Sequence, residues 1–535
     1  MSPSFLKKFT KPPGYVVASA LVSLGGILNG FDTGSIGAIT EMKSFLETIG
    51  HLTPLMRGFT VSLILLTGAF PSFFAGQLAD RFGRLAIVMA GALIFTVGAI
   101  LQGTAHRLPE FLVGRAMCGF GEGLWLSTVT VYITEIAPSL QRGVLVSLPS
   151  FGSTAGICLG YFTCYGTAGI PSTMSWRIPF IIQAILSAIF ASFCVFLPAS
   201  PRWLILYGKR DQALKEIERL GISQVEAEKD ILSARPDQTS SVSTLEGFLM
   251  IFRRQYRART VLALFVLGMI QLSGIDGVLY YAPTLFAQAG IPSQTASFLA
   301  SGVSAILMLA VTIPAVIYSD RMGRRTSIIA GGLTLAFCML LIGSLYASKN
   351  VHPTGPVRWI VVVLIFIFAL TYCFTWAIVG KIYASEIQPA KTRAAANCLA
   401  QGLNFFANWL VAFATPVFLA NSAFGAYFLF GFLTLGTVIV LATYMPETRG
   451  RSLEEIQSAF HQRPVMRSWV YHLRRLVSGR VFSPPSTSSD GMRSDRSGVE
   501  IATMTGANAS GVASGGVMNA ESATGDVEME SVTVG

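Results

Sequence analysis

Twelve long apolar segments are the feature that most limits what this 535-residue sequence can fold into. An apolar run of about 18 residues or more is long enough to cross a bilayer as a helix. Only 13% of the residues are charged, whereas soluble proteins have about 25%. We therefore predict an all-α membrane protein with twelve transmembrane helices, numbered as spans 1 to 12, at about 14–36, 58–79, 86–104, 109–134, 143–166, 177–198, 260–288, 296–318, 327–347, 358–386, 394–419 and 423–445.

The basic residues predict how these spans are oriented. The connections between spans 2 and 3, 6 and 7, 8 and 9, and 10 and 11 contain Lys and Arg, whereas the connections after spans 7 and 11 contain neither. Because Lys and Arg concentrate in cytoplasmic loops, we expect these basic connections and both chain termini in the cytoplasm. The same bias explains the net charge of +11, so we expect no nucleic-acid partner.

The remaining composition argues against cofactor chemistry. All seven cysteines lie in apolar runs, and the five histidines are scattered without metal-ligand spacing. We expect no disulfide framework, no metal and no other cofactor. We also find no catalytic constellation that would indicate a membrane enzyme.

Polar segments divide the chain into regions. The segment DQALKEIERLG has the apolar spacing of an amphipathic helix that ends at Gly221. The sequence after about 460 is rich in Ser and Gly, and we expect disorder after about 480. The predicted regions are a cytoplasmic amino terminus at 1–13, a six-helix half at 14–198, a cytoplasmic linker with helices at 199–259, a second six-helix half at 260–445 and a cytoplasmic tail at 446–535.

An internal repeat relates the two halves. Three motifs occur once in each half at cytoplasmic span ends, with offsets of 240, 251 and 248 residues. Two such halves in the same orientation are typical of transporters that bind substrate between the halves near the midplane. No Walker A loop occurs, so ATP is not expected to drive transport. The copies are DRFGR at 80–84 and DRMGR at 320–324, EIAP at 135–138 and EIQP at 386–389, and PASPR at 198–202 and PETR at 446–449.

With these motifs, the sequence resembles the sugar porters of the major facilitator superfamily, especially fungal sugar/H+ symporters. The similarity covers about 14–457. It implies the major facilitator fold and alternating access for a sugar or polyol. Besides the repeated motifs, the matches are GFDTG at 30–34, Gly114-Arg115, PASPRWL at 198–204, QLSG at 271–274, Tyr280-Tyr281 and PETRGRSLEEI at 446–456.

Asp32 and Arg115 are charged residues inside spans 1 and 4. Asp32 lies late in an outward-running span and Arg115 early in an inward-running one, so both are expected in the outer half at similar depth. A membrane-embedded carboxylate near an arginine can exchange its salt bridge for a proton. In the proton-coupled porters that the sequence resembles, the matching Asp is the proton site. We therefore predict proton coupling through Asp32 with Arg115 as its partner, and a static buried ion pair is the alternative.

Acidic and basic residues also recur at matching cytoplasmic span ends. Membrane topology explains the arginines but not the repeated Asp and Glu. By resemblance, these residues form an inter-span network that closes the cytoplasmic side in the outward-facing state. Because exposed ion pairs are individually weak, any effect comes from the network. The predicted cytoplasmic gate consists of Asp80, Arg84, Glu135, Arg142, Asp320, Arg324, Arg325, Glu386, Arg393 and Glu447.

The substrate site departs from the family pattern. Asp276 stands where sugar porters commonly have Asn, Ser150 replaces a Gln in span 5, and Glu122 and Lys381 add ionisable groups in spans 4 and 10. A site built to bind hydroxyls leaves polar groups unpaired when its ligand changes, so these replacements should change the substrate. The predicted substrate-binding residues are Gln271, Asp276, Tyr280, Tyr281, Asn404, Asn408, Ser150 and Lys381.

Lys381 leaves the nature of the substrate open. It lies five residues before Glu386, hence about 7 Å along the helix from the cytoplasmic end. It could bind a substrate carboxylate, as in a uronate or quinate-like sugar acid. It could instead pair with Asp276 or Glu122, or extend to the cytoplasmic edge, and both would leave a neutral sugar as substrate.

The predicted function is secondary active import of a monosaccharide-sized sugar by proton symport. We expect a protein that works as a monomer in the lipid bilayer of the plasma membrane. The alternatives are a proton-coupled sugar-acid transporter, a facilitative sugar carrier and a non-transporting sugar sensor.

Overall fold

A computed structural model describes residues 12–138, 141–222, 250–253, 256–291, 294–318, 322–349, 351–352, 355–388, 393–422 and 424–448, with the backbone alone at 142, 294–295, 385 and 393–395. Within these ranges all regular secondary structure is helical, which confirms the predicted all-α fold. The predicted disordered tail, residues 223–249 and 254–255 of the linker, and Asp320 lie outside the described residues.

The amino-terminal half contains the six spans that the apolar runs predict. Span 1 is interrupted at Ser23 and therefore consists of two helices, and a short helix connects it to span 2. The helices are α1 Gly14–Val22 and α2 Leu24–Ile39 (span 1), α3 Lys43–Ile49, α4 Pro54–Phe82 (span 2), α5 Arg84–Thr104 (span 3), α6 Leu108–Ile136 (span 4), α7 Arg142–Thr167 (span 5) and α8 Met174–Phe196 (span 6).

Two short helices follow span 6 on the side of the repeated motifs. They are α9 Pro201–Leu206 and α10 Arg210–Leu220. Gly221 ends α10 in the left-handed conformation, with φ of +71°. Ala213, Ile217 and Leu220 are the buried face of α10, so the predicted amphipathic helix and its end are both confirmed.

The carboxy-terminal half contains the other six spans. Spans 7 and 10 are not the continuous helices that their apolar runs predict. Span 7 breaks after Gln271, where Gly274 takes a positive φ of +89°, and span 10 breaks at Thr375. The helices are α11 Arg257–Gln271, α12 Ile275–Tyr280 and α13 Ala282–Gln288 (span 7), α14 Gln294–Tyr318 (span 8), α15 Arg324–Ala347 (span 9), α16 Val357–Phe374 and α17 Trp376–Glu386 (span 10), α18 Arg393–Asn421 (span 11) and α19 Gly425–Tyr444 (span 12).

Span 4 carries two charged residues, Arg115 and Glu122, in its interior. Eleven helical segments in the described ranges are long and apolar enough to cross a membrane, and span 4 is not among them because Arg115 and Glu122 lie within it. Its 29 residues are nevertheless long enough to cross. Gly119 packs against the Ile64 carbonyl of span 2, and Gly121 packs against the Gly91 carbonyl of span 3. The small residues let span 4 pack closely between its neighbours, so its charged groups are enclosed by protein.

Two helix pairs make most of the contacts between the halves. Span 2 packs along span 11, from Gly58 beside the Phe413 carbonyl to Gly76 beside the Cys398 thiol. Span 5 meets span 8, where the Phe162 ring lies against Gly302. These contacts hold the two halves side by side, and the polar residues of both halves face one another between them.

Candidate transport site

A buried ion pair joins spans 1 and 4. Arg115 Nη1 lies 2.6 Å from Asp32 Oδ1, and the two side chains are 0% and 3% exposed. Arg115 Nη2 also donates to the Val61 carbonyl at 2.7 Å, and Gln183 Nε2 donates to Asp32 Oδ1 at 3.3 Å. The predicted proximity of Asp32 and Arg115 is therefore confirmed. Spans 1, 2, 4 and 6 all contribute a group to this ion-pair centre. A change in the charge of Asp32 or Arg115 therefore alters contacts between four helices.

A second buried carboxylate lies in the same half. Glu122 is 2% exposed and accepts a hydrogen bond from Asn29 Nδ2. Asn29 Oδ1 in turn accepts from Ser153 Oγ at 2.9 Å. Asn29 precedes Asp32 by three residues in span 1. The amide that joins Glu122 to Ser153 is therefore about one helical turn from Asp32.

Three polar side chains of the carboxy-terminal half meet at the break in span 7. Gln271 Nε2 donates to Asn404 Oδ1 at 3.3 Å, and the Tyr372 hydroxyl donates to Gln271 Oε1 at 3.3 Å. Asn404 Nδ2 donates to the Leu267 carbonyl at 3.4 Å. Spans 7, 10 and 11 are therefore joined by amides and a hydroxyl, which are the groups that can rearrange to bind sugar hydroxyls.

Asp276 and Asn408 form an adjacent pair. Their side chains lie close together, but Asp276 Oδ2 and Asn408 Oδ1 are buried without a hydrogen-bond partner. A buried acceptor without a partner costs about 1–3 kcal/mol. The pair therefore presents two acceptors that a bound hydrogen-bond donor would satisfy.

Lys381 is near Asp276 without contacting it. The two groups are within electrostatic range, but no ion pair joins these two described side chains, nor does one join Lys381 to Glu122. Lys381 remains exposed. Charged side chains inside a membrane generally face the bundle interior or a water-filled cavity, and the charge of Lys381 lies within electrostatic range of the buried Asp276 carboxylate.

The other predicted substrate-binding residues lie in different surroundings. Tyr280 is buried, lies close to Thr33 and is within electrostatic range of Asp32, Glu122 and Asp276. It is therefore between the polar groups of the two halves. The remaining two predicted residues have neighbours elsewhere: the Tyr281 hydroxyl donates to the Ala412 carbonyl at 2.9 Å, and half-buried Ser150 lies in span 5, one turn before Ser153.

The halves touch at the ends of spans 1 and 7 that lie away from the repeated motifs, which we call the outer side. Gly37 packs so closely against the Tyr280 carbonyl that a Cβ atom would overlap it. Nearby, Arg57 Nη2 lies 2.8 Å from Glu41 Oε1 and donates to Thr284 Oγ1 at 3.1 Å. The Arg57 guanidinium also lies 5.4 Å from the centre of the Tyr281 ring. These contacts close the outer side between the halves.

The motifs of the amino-terminal half form a compact network. Arg84 Nη2 lies 2.8 Å from Glu135 Oε1 and 2.7 Å from Asp80 Oδ1. The Ser200 hydroxyl donates to Glu135 Oε2. Span 3 is thus tied to span 4 and to the beginning of α9.

The carboxy-terminal half repeats this arrangement. Arg324 Nη2 lies 3.1 Å from Glu386 Oε1, and Thr448 Oγ1 donates to Glu386 Oε2 at 2.7 Å. The three-residue set of arginine, glutamate and hydroxyl is therefore the same in both halves. The internal repeat seen in the sequence is confirmed at the level of side-chain contacts.

Other residues of the predicted gate lie outside these two sets of arginine, glutamate and hydroxyl. Glu447 accepts from the backbone N–H groups of Arg324 at 2.8 Å and Arg325 at 3.1 Å, which stabilises the start of span 9. The Arg325 guanidinium donates to the Ala442 carbonyl. Asp320 and the side chains of Arg142 and Arg393 lie outside the described part of the chain. Each ion pair described on the side of the repeated motifs has both of its residues in the same half. These pairs therefore join neighbouring spans and do not connect the two halves.

Four residues of the site were not predicted from the sequence. Asn29, Ser153 and Gln183 are polar residues inside apolar spans, and such residues often mark a functional site. Tyr372 gave no such signal, because tyrosine is frequent in membrane spans. No group of three or more His, Cys, Asp or Glu side chains that could hold a metal occurs among the described residues.

Comparisons with known proteins identify the family. The family model described as "Sugar (and other) transporter" matches residues 18–460. The MFS-type transporter criB of Aspergillus cristatus is 30% identical, over 82% of this chain and 92% of that protein. The sugar transport protein MST3 of Oryza sativa subsp. japonica is 29% identical, over 82% and 88%. The arabinose-proton symporter of Bacillus subtilis (strain 168) is 30% identical, over 83% and 95%.

Solved structures show the same fold. The major facilitator symporter XylE bound to 6-bromo-6-deoxy-D-glucose aligns with a TM-score of 0.71 at 24% identity, over 83% of this chain and 99% of that one. A partially occluded inward-open structure of XylE from E. coli aligns with a TM-score of 0.69 at 24% identity, over 82% and 100%. The chain belongs to the sugar transporter family of the major facilitator superfamily, and it is a multi-pass membrane transporter and not an enzyme.

Proposed function

We propose that this protein imports a monosaccharide-sized sugar together with a proton, by alternating access, across the plasma membrane. The observation that carries the proposal is the enclosed ion pair between Asp32 and Arg115. The names of two relatives support it, since one is a sugar transport protein and the other an arabinose-proton symporter.

Protonation of Asp32 supplies the coupling. A proton bound to this carboxylate removes the negative charge that faces Arg115 Nη1. Arg115 then keeps the Val61 carbonyl as an acceptor but loses its counter-charge, which is expensive in a low-dielectric environment. The amino-terminal half therefore has different preferred packings with and without the proton.

The sugar binds beside the break in span 7. Gln271, Asn404 and Tyr372 offer donors and acceptors there. Asp276 Oδ2 and Asn408 Oδ1 add two buried acceptors without partners in the protein. Sugar hydroxyls can donate to these acceptors, so binding removes a cost that the empty site carries.

Alternating access requires that the contacts between the halves differ on the two sides of the molecule. The halves meet at the outer side through Gly37 and Tyr280, whereas the described gate ion pairs near the repeated motifs lie within each half. This arrangement favours an inward-facing state with the motifs and both termini in the cytoplasm. Each chain contains both halves of the route, so we propose a monomer as the working unit, without a nucleic-acid partner.

A transport panel tests the proposal. Yeast cells that lack their own sugar transporters would express the protein and receive labelled pentoses, hexoses, disaccharides or sugar acids at pH 5 and pH 7, with and without a protonophore. We expect one monosaccharide to accumulate at the acidic pH and to stop accumulating when the protonophore is added. Equilibration that ignores the protonophore would indicate a facilitative carrier, and a complete lack of flux would indicate a sensor.

A sugar acid is the second candidate substrate, because Lys381 is exposed inside the protein near Asp276. Its ammonium group could bind a substrate carboxylate. In the same cells, uronates and quinate would then compete for uptake, and Lys381→Gln would remove that competition. Competition by neutral hexoses alone would exclude this candidate.

A further inference from the structure

Glu122 is a buried carboxylate for which the proposed function has no role. It lies seven residues after Arg115 in span 4. Seven residues are about two helical turns, so the two side chains share a face of the helix and are separated by about 10 Å along its axis. Glu122 therefore lies nearer than Arg115 to the end of span 4 that carries Glu135.

The residues of span 1 place Glu122 on the same side of the ion pair. Asn29, which donates to Glu122 Oε1, lies three residues before Asp32. The start of span 1 and the end of span 4 are on the same side of the membrane, because one span runs in the opposite direction to the other. Glu122 and Asn29 thus lie on the gate-motif side of the ion pair.

The charges around Glu122 are few. Asp32 of span 1 and Arg115 of span 4 are in electrostatic range, and the neutral groups in range are Cys118 and Tyr280. The charged residues of spans 2 and 3, which also pack against span 4, lie near the span ends. The centre therefore contains two carboxylates and one guanidinium.

This set of charges favours one shared proton. Two ionised carboxylates beside a single guanidinium would leave a net negative charge in a low-dielectric environment, and like charges in one site disfavour joint ionisation. The two carboxylates are therefore alternative positions for one proton.

The two carboxylates have different hydrogen-bond partners, although each residue is 2% exposed. Asp32 is enclosed by Arg115 and Gln183. Glu122 accepts a hydrogen bond from Asn29, which accepts one from Ser153, and Asn29 and Ser153 are half-buried. A route from Asp32 by way of Glu122 therefore ends at side chains that are more accessible than either carboxylate.

We propose that Glu122 is a proton relay between Asp32 and the cytoplasmic side. In the inward-facing state, the O–H bond on Asp32 breaks and the proton passes through water to Glu122 Oε2, where a new O–H bond forms. Asp32 is again a carboxylate and restores its ion pair with Arg115. The proton then leaves Glu122 for water near Asn29 and Ser153. This inference rests on the proposed proton symport.

The test compares net transport with exchange in proteoliposomes that contain the full chain. Glu122→Gln has the same shape and keeps an acceptor for Asn29, but it cannot release a proton. Proton-driven net uptake should fall about tenfold or more and lose its dependence on internal pH, whereas sugar exchange without net proton movement should stay near the wild-type rate. Glu122→Asp should restore part of the net uptake.

Glu110→Gln is the matched control, because it makes the same change in the same span at an exposed residue of the first turn. It should impair net uptake much less than Glu122→Gln. If Glu122→Gln retains wild-type net uptake and pH profile, or loses exchange as completely as net uptake, the relay is wrong. If the wild-type protein shows no proton-driven uptake, the proposed symport fails together with the relay, so the two failures are distinguishable.

Discussion

Arg115 Nη1 lies 2.6 Å from Asp32 Oδ1 in the interior of the amino-terminal half, where both side chains are almost completely enclosed. The ion pair connects spans 1 and 4, and Gln183 and the Val61 carbonyl extend it to spans 6 and 2. A single protonation at Asp32 therefore acts on the packing of four helices. Such a connection is what proton coupling requires.

Replacing only one partner of the ion pair should destabilise the protein. Arg115→Gln leaves the Asp32 carboxylate buried without its counter-charge, and loss of one partner of a buried ion pair typically costs about 3–5 kcal/mol. We expect a clearly lower thermal unfolding temperature in detergent at pH 7. The double variant Arg115→Gln with Asp32→Asn should recover most of the loss, because no unpaired charge remains. Equal unfolding temperatures for Arg115→Gln and wild type would contradict this.

The outer contact should depend on the absence of a side chain at Gly37. In Gly37→Val the added atoms would overlap the Tyr280 carbonyl, so the outer side should no longer close. We expect net uptake to be lost, while a thiol reagent reaches an introduced Thr284→Cys more rapidly from outside. Gly166→Ala is the matched control, because a Cβ there has open space. Normal transport by Gly37→Val would show that this closure is not needed.

The gate networks of the two halves should respond alike to equivalent changes. Glu135→Gln and Glu386→Gln each weaken the bonds to an arginine and a hydroxyl, so each should lower the maximal uptake rate several-fold with little change in KM. Glu216→Gln is the control, because its ion pair with Arg219 is 3.5 Å long and the Arg219 side chain is 53% exposed, and such pairs contribute little. A large effect in one half only would argue against functional equivalence of the repeats.

The sugar site should be sensitive to the Tyr372 hydroxyl. Tyr372→Phe removes the donor to Gln271 Oε1, and a hydrogen bond of this kind is worth about 1 kcal/mol, or about fivefold in KM. Tyr346→Phe is the control, because the buried Tyr346 hydroxyl has no hydrogen-bond partner. Uptake kinetics with the substrate found in the transport panel should separate the two variants. An equal KM for both would place the sugar away from Gln271.

The fold was largely predictable because hydrophobicity and charge act on long segments. Each span has a run of apolar residues, and even span 4, which contains Arg115 and Glu122, was recognisable from its length. The breaks in spans 7 and 10 were not predictable, because apolar runs continue through them. The break in span 7 needs the positive φ at Gly274, and sequence alone does not distinguish this glycine from those that permit close helix packing.

The candidate site was predictable only in part. Asp32 and Arg115 were paired correctly because their positions in two antiparallel spans fix their relative depth. The chain of Glu122, Asn29 and Ser153 depends on which faces of spans 1, 4 and 5 meet, and this is set by tertiary packing. For the same reason, the sequence did not reveal that Asp276 lies beside Asn408 while no ion pair joins the described side chains of Asp276 and Lys381.

Proton-driven accumulation in proteoliposomes tests the central claim most directly. Wild-type protein and Asp32→Asn would be reconstituted, and labelled sugar and internal pH would be followed together under an inward proton gradient. We predict that the wild type accumulates sugar above equilibrium and acidifies the interior, whereas Asp32→Asn exchanges sugar but neither accumulates it nor moves protons. Accumulation by Asp32→Asn with accompanying protons would contradict the assignment of Asp32 as the coupling site.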